Sequence, residues 1–185
     1  MLTGSGTGSG RRYRRSATAS GHDGPAVLNL RPAVPADAPT ILALIRALAT
    51  YEKEPDKVVA TEASLLRDGF GDRPLFQVTM AEAEGHPVGF AFWFVTYSTW
   101  RGQPTLFLED LFVIPEVRGK GIGKALMQFL ARTALEKGCG RLMWNVLDWN
   151  QPSIDFYESL GAQVLREWLT VRLDGRALQQ LASER

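Results

Sequence analysis

Residues 113–124 read Val-Ile-Pro-Glu-Val-Arg-Gly-Lys-Gly-Ile-Gly-Lys. Just upstream, residues 105–114 are dense in aromatic and branched side chains, which fits a buried strand. Downstream, Ile122, Ala125, Leu126, Phe129 and Leu130 recur at helical spacing, giving an amphipathic helix over 121–137 that Gly138 ends. A strand that runs through a glycine turn into a helix leaves unpaired N–H groups where the helix dipole is positive. The glycines let a phosphate approach the backbone, and Arg118, Lys120 and Lys124 add formal charge. A pyrophosphate suits such a turn.

Three phosphate-binding patterns separate on these residues. A P-loop needs glycine five positions before Gly123 and a hydroxyl residue after Lys124, where the chain has Arg118 and Ala125. A dinucleotide fingerprint begun at Gly119 and Gly121 needs a third glycine where Lys124 stands. The pattern that fits is R-x-x-G-x-G, from Arg118 through Gly121 to Gly123.

Working outward, residues 27–31 read as a first strand closed by Pro32, and Asp37 as the cap of a helix burying Ile41, Leu42, Leu44, Ile45 and Leu48. A second helix starts near Thr61 and stops at Gly69 and Gly71. Residues 75–82 and 86–97 read as strands joined by a tight turn at Glu84-Gly85, followed by a longer loop over 98–104. Beyond the long helix come a strand over 141–147, a helix over 151–160 stopped by Gly161, a last strand region over 163–173 and a terminal helix over 174–182. Hairpin-linked strands before a crossover unit define an α/β fold with a mixed sheet. No internal repeat is present.

The 185-residue chain is 45% hydrophobic and 22% charged, the balance of one globular domain. Its 21 Lys and Arg offset 20 Asp and Glu, so no global field draws it to nucleic acid or to a membrane surface. Cys139 is the one cysteine, and the two histidines, His22 and His86, are solitary. No internal disulfide and no metal site are expected, and the thiol-poor composition is compatible with a cytoplasmic setting. No apolar run approaches the roughly 18 residues that span a bilayer. Residues 1–26 are rich in Gly, Ser and Arg and read as a flexible tail before a single domain over 27–185. An organellar transit peptide and a nucleic-acid role for Arg11, Arg12, Arg14 and Arg15 are the other readings of that tail.

The glycine pattern and its surroundings resemble the GCN5-related N-acetyltransferase (GNAT) family, and within it the diamine (spermidine/spermine) and thialysine acetyltransferases. Besides the loop, the resemblance rests on residues 41–52 ending in Tyr51-Glu52, on 65–71, on 88–91 and on Leu108-Glu-Asp-Leu-Phe-Val113. It continues through Trp149-Asn-Gln-Pro-Ser-Ile-Asp-Phe-Tyr-Glu158 to Gly161-Ala162. It implies a GNAT fold with a mixed, mostly antiparallel sheet of about six to seven strands, and acetyl-CoA bound where the strands splay. It further implies acetyl transfer to a primary amine of a small molecule in a ternary complex, without metal, by a homodimer.

Such chemistry needs a neutral amine, whereas an alkylammonium has a pKa of about 10, and it needs a proton for the departing thiolate. Glu109 takes the family position of the water-mediated base; its other reading is a solvated carboxylate at a strand end. In regular strand geometry Glu109 and Asp110 point to opposite faces, so at most one faces the cleft. Tyr157 takes the position of the general acid, against a plain packing role. Asn150 is implied to bind the pantetheine arm or adjoining phosphates and is also suited to cap a helix. Leu111, Phe112 and Val113 would offer backbone groups to the pantetheine, with Arg118, Gly119, Lys120, Gly121, Ile122, Gly123 and Lys124 around the pyrophosphate. Tyr51, Glu52, Glu109, Glu167 and Trp168 match substrate-side positions, although the chain is shorter than its relatives between Gly161 and Trp168. Trp93, Trp100, Trp144 and Trp149 are expected as core or cleft wall. Ser98 stands where the polyamine-acetylating relatives carry an acid, which leaves diamines, thialysine and other small amines open. A protein N-acetyltransferase and a non-catalytic acetyl-CoA-binding module are the alternatives.

Overall fold

The computed structural model describes residues 28–184; the expected tail and the first strand residue, Val27, lie outside them. Five strands form one sheet in the order β1-β2-β3-β4-β5. They are β1 (Leu28–Pro32), β2 (Gln77–Ala83), β3 (His86–Ser98), β4 (Gln103–Val113) and β5 (Leu142–Trp144). The first three pairings are antiparallel and β4–β5 is parallel. Helices α1 (Ala38–Tyr51) and α2 (Glu62–Gly69) follow β1, α3 (Ile122–Glu136) crosses from β4 to β5, and α4 (Gln151–Ser159) and α5 (Gly175–Ser183) close the chain.

Each sheet face carries its own core. On one side Ile41, Leu44 and Leu48 of α1 and Leu65 of α2 pack on Val78, Met80, Phe90 and Phe112. On the other Leu126, Met127 and Leu130 of α3 pack on Ala91, Trp93, Leu106 and Leu108. Cys139 is buried in this second core, in the packing role expected of it. The β2–β3 hairpin turns on Glu84 and Gly85, both with positive φ (53° and 78°), the geometry that suits a two-residue turn to strand twist. Thr61 caps α2, its hydroxyl accepting from the Ser64 N–H at 3.1 Å.

One irregularity of β4 governs the site. Asp110 pairs with Phe92 and Leu108 with Trp93, so Glu109 is an extra residue with no partner on β3. This bulge breaks the two-residue period of the strand. Leu106 and Leu108 face α3 before it, and Leu111 and Val113 face α3 after it, while Phe112 packs under α1.

Several expectations are corrected. Asp37 does not cap α1; its carboxylate accepts from the Val34 N–H at 2.7 Å and pairs with both terminal nitrogens of Arg31, tying β1 to the turn before the helix. The expected loop over 98–104 is shorter, because β3 and β4 stay paired out to Ser98 and Gln103. The strand expected over 141–147 keeps three residues, because the chain leaves β4 after Trp144. Residues 163–173 form no strand: Val164, Leu165, Leu169 and Val171 are exposed, and no edge of the sheet is paired with them. Among the described residues the sheet therefore has five strands rather than six to seven. Among the described residues no helix is long and apolar enough to cross a membrane.

Candidate active site

Parallel pairing between β4 and β5 stops at Leu108–Trp144, immediately before the bulge. From Glu109 to Val113 the β4 edge on that side has no strand beside it, and Asn145, Val146 and Leu147 line the gap instead. The result is a cleft of about 1020 Å³ running from the β4 bulge to the start of α3. Backbone groups facing it are free to pair with an extended ligand, as an added strand would.

At one end lies the glycine turn. Gly119 (φ 77°) and Gly121 (φ 84°) adopt left-handed backbone conformations that other residues reach only with strain. Gly121 is the N-cap of α3 and has no side chain with which to cap it, so the first N–H groups of the helix remain available to an anion. Gly119, Gly121, Ile122, Gly123 and Lys124 all line the cleft, whereas Lys120 is exposed and does not. Arg118 also lines it. Its Nε donates to the Val113 carbonyl at 2.8 Å, and its guanidinium stacks 4.5 Å from the Tyr51 ring centroid. These groups have the charge and the free donors for a pyrophosphate.

The opposite end is acidic and better shielded. The bulge brings both Glu109 and Asp110 to the cleft, which corrects the expectation from regular strand alternation. Glu109 is exposed and Asp110 half-buried. Burial, with the nearby Glu109 and Glu52 charges, pushes the Asp110 carboxyl up to about 6. Burial likewise raises Glu52, at the C-terminal end of α1. The family resemblance pointed to Glu109; the place of Asp110 in the same cleft was missed, because the Glu-Asp pair gives no sign of a bulge without the strand register.

Tyr157 is buried against Trp144, with ring centroids 5.0 Å apart. Its phenol is pushed up to about 12 by burial and by the Glu52 and Tyr51 groups, so it holds its proton at neutral pH. Asn150 caps α4, accepting from the Ser153 N–H at 3.4 Å, and its Oδ1 also accepts from the Tyr51 hydroxyl at 3.0 Å. Leu111, Phe112, Val113, Tyr51 and Glu52 line the same cleft. Glu167 and Trp168 do not, a second correction. Trp168 is 66% exposed and meets the 90% exposed Trp100 edge-on at 6.3 Å, because the segment after α4 runs outside the sheet. Trp100 is accordingly neither core nor cleft wall. Thr170, from the same segment, does reach the cleft.

A family model described as the acetyltransferase (GNAT) family matches residues 41–162. The chain is 42% identical over 170 residues to thialysine N-epsilon-acetyltransferase of Bos taurus, covering 86% of this chain and 99% of that protein. It is 38% identical over 165 residues to human spermidine/spermine N(1)-acetyltransferase-like protein 1, covering 84% of this chain and 24% of that longer protein. Among solved structures, an integron cassette protein of V. cholerae superposes with a TM-score of 0.72 at 28% identity, over 85% of this chain and 98% of that one. The chain belongs to the acetyltransferase (GNAT) family, with the GNAT fold, and is an N-acetyltransferase.

Proposed function

We propose that the enzyme transfers an acetyl group from acetyl-CoA to a primary amine of a small molecule, a diamine or polyamine or a thialysine-like amine, by direct attack in a ternary complex. The observation that carries this reading is a single cleft lined by a glycine turn suited to phosphate, by the Glu109–Asp110 pair and by the protonated Tyr157 phenol. Similarity to the thialysine and spermidine/spermine-like proteins supports a small amine as the acceptor.

Acetyl-CoA supplies an activated thioester. The α3 N-terminus, Lys124 and Arg118 hold its pyrophosphate, and the open β4 edge from Leu111 to Val113 offers backbone groups to the pantetheine. Asn150 holds the loop before α4 against Tyr51, at the wall of that path. Glu52, Glu109 and Asp110 attract the acceptor as its ammonium. The Glu109–Asp110 pair then takes the proton that frees the nitrogen lone pair: Glu109 is the acceptor the family resemblance implies, and Asp110 the neighbour whose carboxyl burial pushes up to about 6. Tyr157 donates its proton to the departing thiolate.

We further propose a homodimer, because the apolar residues of the 163–173 segment stand exposed in one chain and would be covered by a second. A cytoplasmic enzyme fits the single buried thiol.

The test is CoA release from acetyl-CoA across spermidine, putrescine, thialysine, lysine, aminoglycosides and lysine-containing peptides. Turnover with a small amine supports the reading. Turnover confined to the peptides overturns it in favour of a protein acetyltransferase.

A further inference from the structure

Arg118 is exposed, yet its guanidinium is held by three contacts. Nε donates to the Val113 carbonyl, and the guanidinium carbon lies 4.5 Å from the Tyr51 ring centroid and 5.4 Å from that of Phe112. Neither terminal nitrogen meets an acceptor among the described residues, so both are left for an anion in the cleft. A loose arginine side chain samples many rotamers, and an anion that binds it must first order it. Here the ordering precedes the pyrophosphate, and the Tyr51 ring supplies part of it.

Tyr51 is tied to a second element as well. It ends α1, and its hydroxyl donates to Asn150 Oδ1 at 3.0 Å. Asn150 is the N-cap of α4, the helix that carries Tyr157. Beside this bond Lys53, in a left-handed conformation (φ 65°), sets its Nζ 4.8 Å from the Trp149 ring, which lies 6.5 Å from the Tyr51 ring. The chain at the end of α1 thus meets the loop before α4 on one side and the glycine turn on the other, and Tyr51 touches both.

We infer that Tyr51 is a positioning residue for the transfer: its ring fixes the arginine that holds the cofactor, its hydroxyl fixes the helix that carries the proton donor, and one side chain thereby links cofactor binding to the placement of Tyr157. The inference rests on the transferase reading and adds to it a residue that acts through Arg118 and Asn150. An anion on the guanidinium steadies the ring, and the ring steadies α4 through the Asn150 bond. Phenylalanine at position 51 keeps the first role and loses the second, whereas leucine loses both.

The test uses Tyr51→Phe, Tyr51→Leu, Arg118→Ala and the Tyr51→Leu/Arg118→Ala double variant. CoA affinity is measured by calorimetry, amide exchange along α4 with and without CoA, and kcat and KM with a small amine that the wild type acetylates. Tyr51→Phe is expected to bind CoA within about twofold of the wild type and to lose about fivefold in kcat, with KM for acetyl-CoA unchanged. Tyr51→Leu is expected to weaken CoA about tenfold, but less than about twofold when Arg118 is already alanine, because the ring then has no guanidinium to hold. CoA should slow exchange at the start of α4 in the wild type and do so less in Tyr51→Phe. Unchanged CoA affinity in Tyr51→Leu, additive losses in the double variant, an unchanged kcat in Tyr51→Phe, or equal protection of α4 in Tyr51→Phe and the wild type overturns the inference. If Tyr51→Leu does not fold, the kcat and the exchange of Tyr51→Phe decide alone. Affinity and exchange changes as expected, with no turnover of any amine, retain the link between Arg118 and α4 and sink the transferase reading.

Discussion

The Tyr51 hydroxyl donates a 3.0 Å hydrogen bond to Asn150 Oδ1, linking residues 99 positions apart in the chain. It pins the C-terminal end of α1 to the N-terminal end of α4, while the Tyr51 ring supports the Arg118 guanidinium. Tyr51→Phe removes the bond and keeps the ring. A net loss of about 1 kcal/mol is expected, since Asn150 Oδ1 keeps its contact with the Ser153 N–H. Amide hydrogen exchange at the start of α4 should quicken while the core is unchanged; unaltered exchange would remove Tyr51 from this role.

Asp110 ought to lower stability where it is ionised. Its folded value, about 6, lies above its ordinary 3.8, so between these pH values the native state binds more protons than the unfolded chain. Stability then falls as pH rises from about 4 to about 6 and is level above. Asp110→Asn should recover on the order of 2 kcal/mol at pH 7.5 and nothing at pH 3.5, by denaturant unfolding. The same variant should lower kcat/KM and lose an acidic limb near pH 6. A gain in stability with the limb retained would leave proton transfer to Glu109.

Tyr157→Phe removes a proton donor from a ring that stays packed on Trp144. A fall in kcat of about 10²-fold or more is expected, with acetyl-CoA affinity little changed. Because the phenol is held up at about 12, the wild-type rate should show no alkaline loss from Tyr157 below about pH 11.

Gly121→Asp places an anion beside the anion-binding donors of α3, and Gly121→Ala separates that effect from backbone strain. A Cβ at Gly121 meets nothing within 4 Å, so alanine pays only for the left-handed conformation, about 1–2 kcal/mol. Acetyl-CoA affinity measured by calorimetry should drop much further in the aspartate variant. Equal losses in the two would mean that charge at the turn is unimportant.

Leu169 and Val171 are 85% and 91% exposed. Leu169→Asp with Val171→Asp should shift sedimentation from dimer to monomer while circular dichroism is retained. A wild type that sediments as a monomer would dispose of the dimer directly.

The elements with strong local periodicity were legible before any coordinates. Helix α3 and its glycine boundaries, the Glu84-Gly85 turn and the start of α2 near Thr61 depend on neighbours within a few residues. The places of the glycine turn, Tyr157 and Asn150 along one cleft were implied by the family resemblance, which rests on motifs dense in matching residues. What escaped depended on partners distant in sequence. Residues 163–173 have a strand-like composition, yet a strand needs an edge to pair with, and the segment runs along neither outer strand of the sheet, β1 or β5. Asp37 looks like a helix cap by position, but Arg31 claims its carboxylate. The Phe76–Phe92 ring pair was invisible because Phe92 comes beside the start of β2 only through the β2–β3 pairing.

The unpaired Glu109 is also the residue of β4 that its ladder with β3 does not need. Deleting that one position would leave every remaining side chain chemically intact and restore an uninterrupted ladder to β4. Asp110 would stay opposite Phe92 and Leu111 opposite Ala91, so Leu111 and Val113 would keep to the α3 core and Phe112 to the α1 core. The irregularity therefore serves the cleft rather than the packing: a chain one residue shorter here would keep both cores and lose a carboxylate from the cleft.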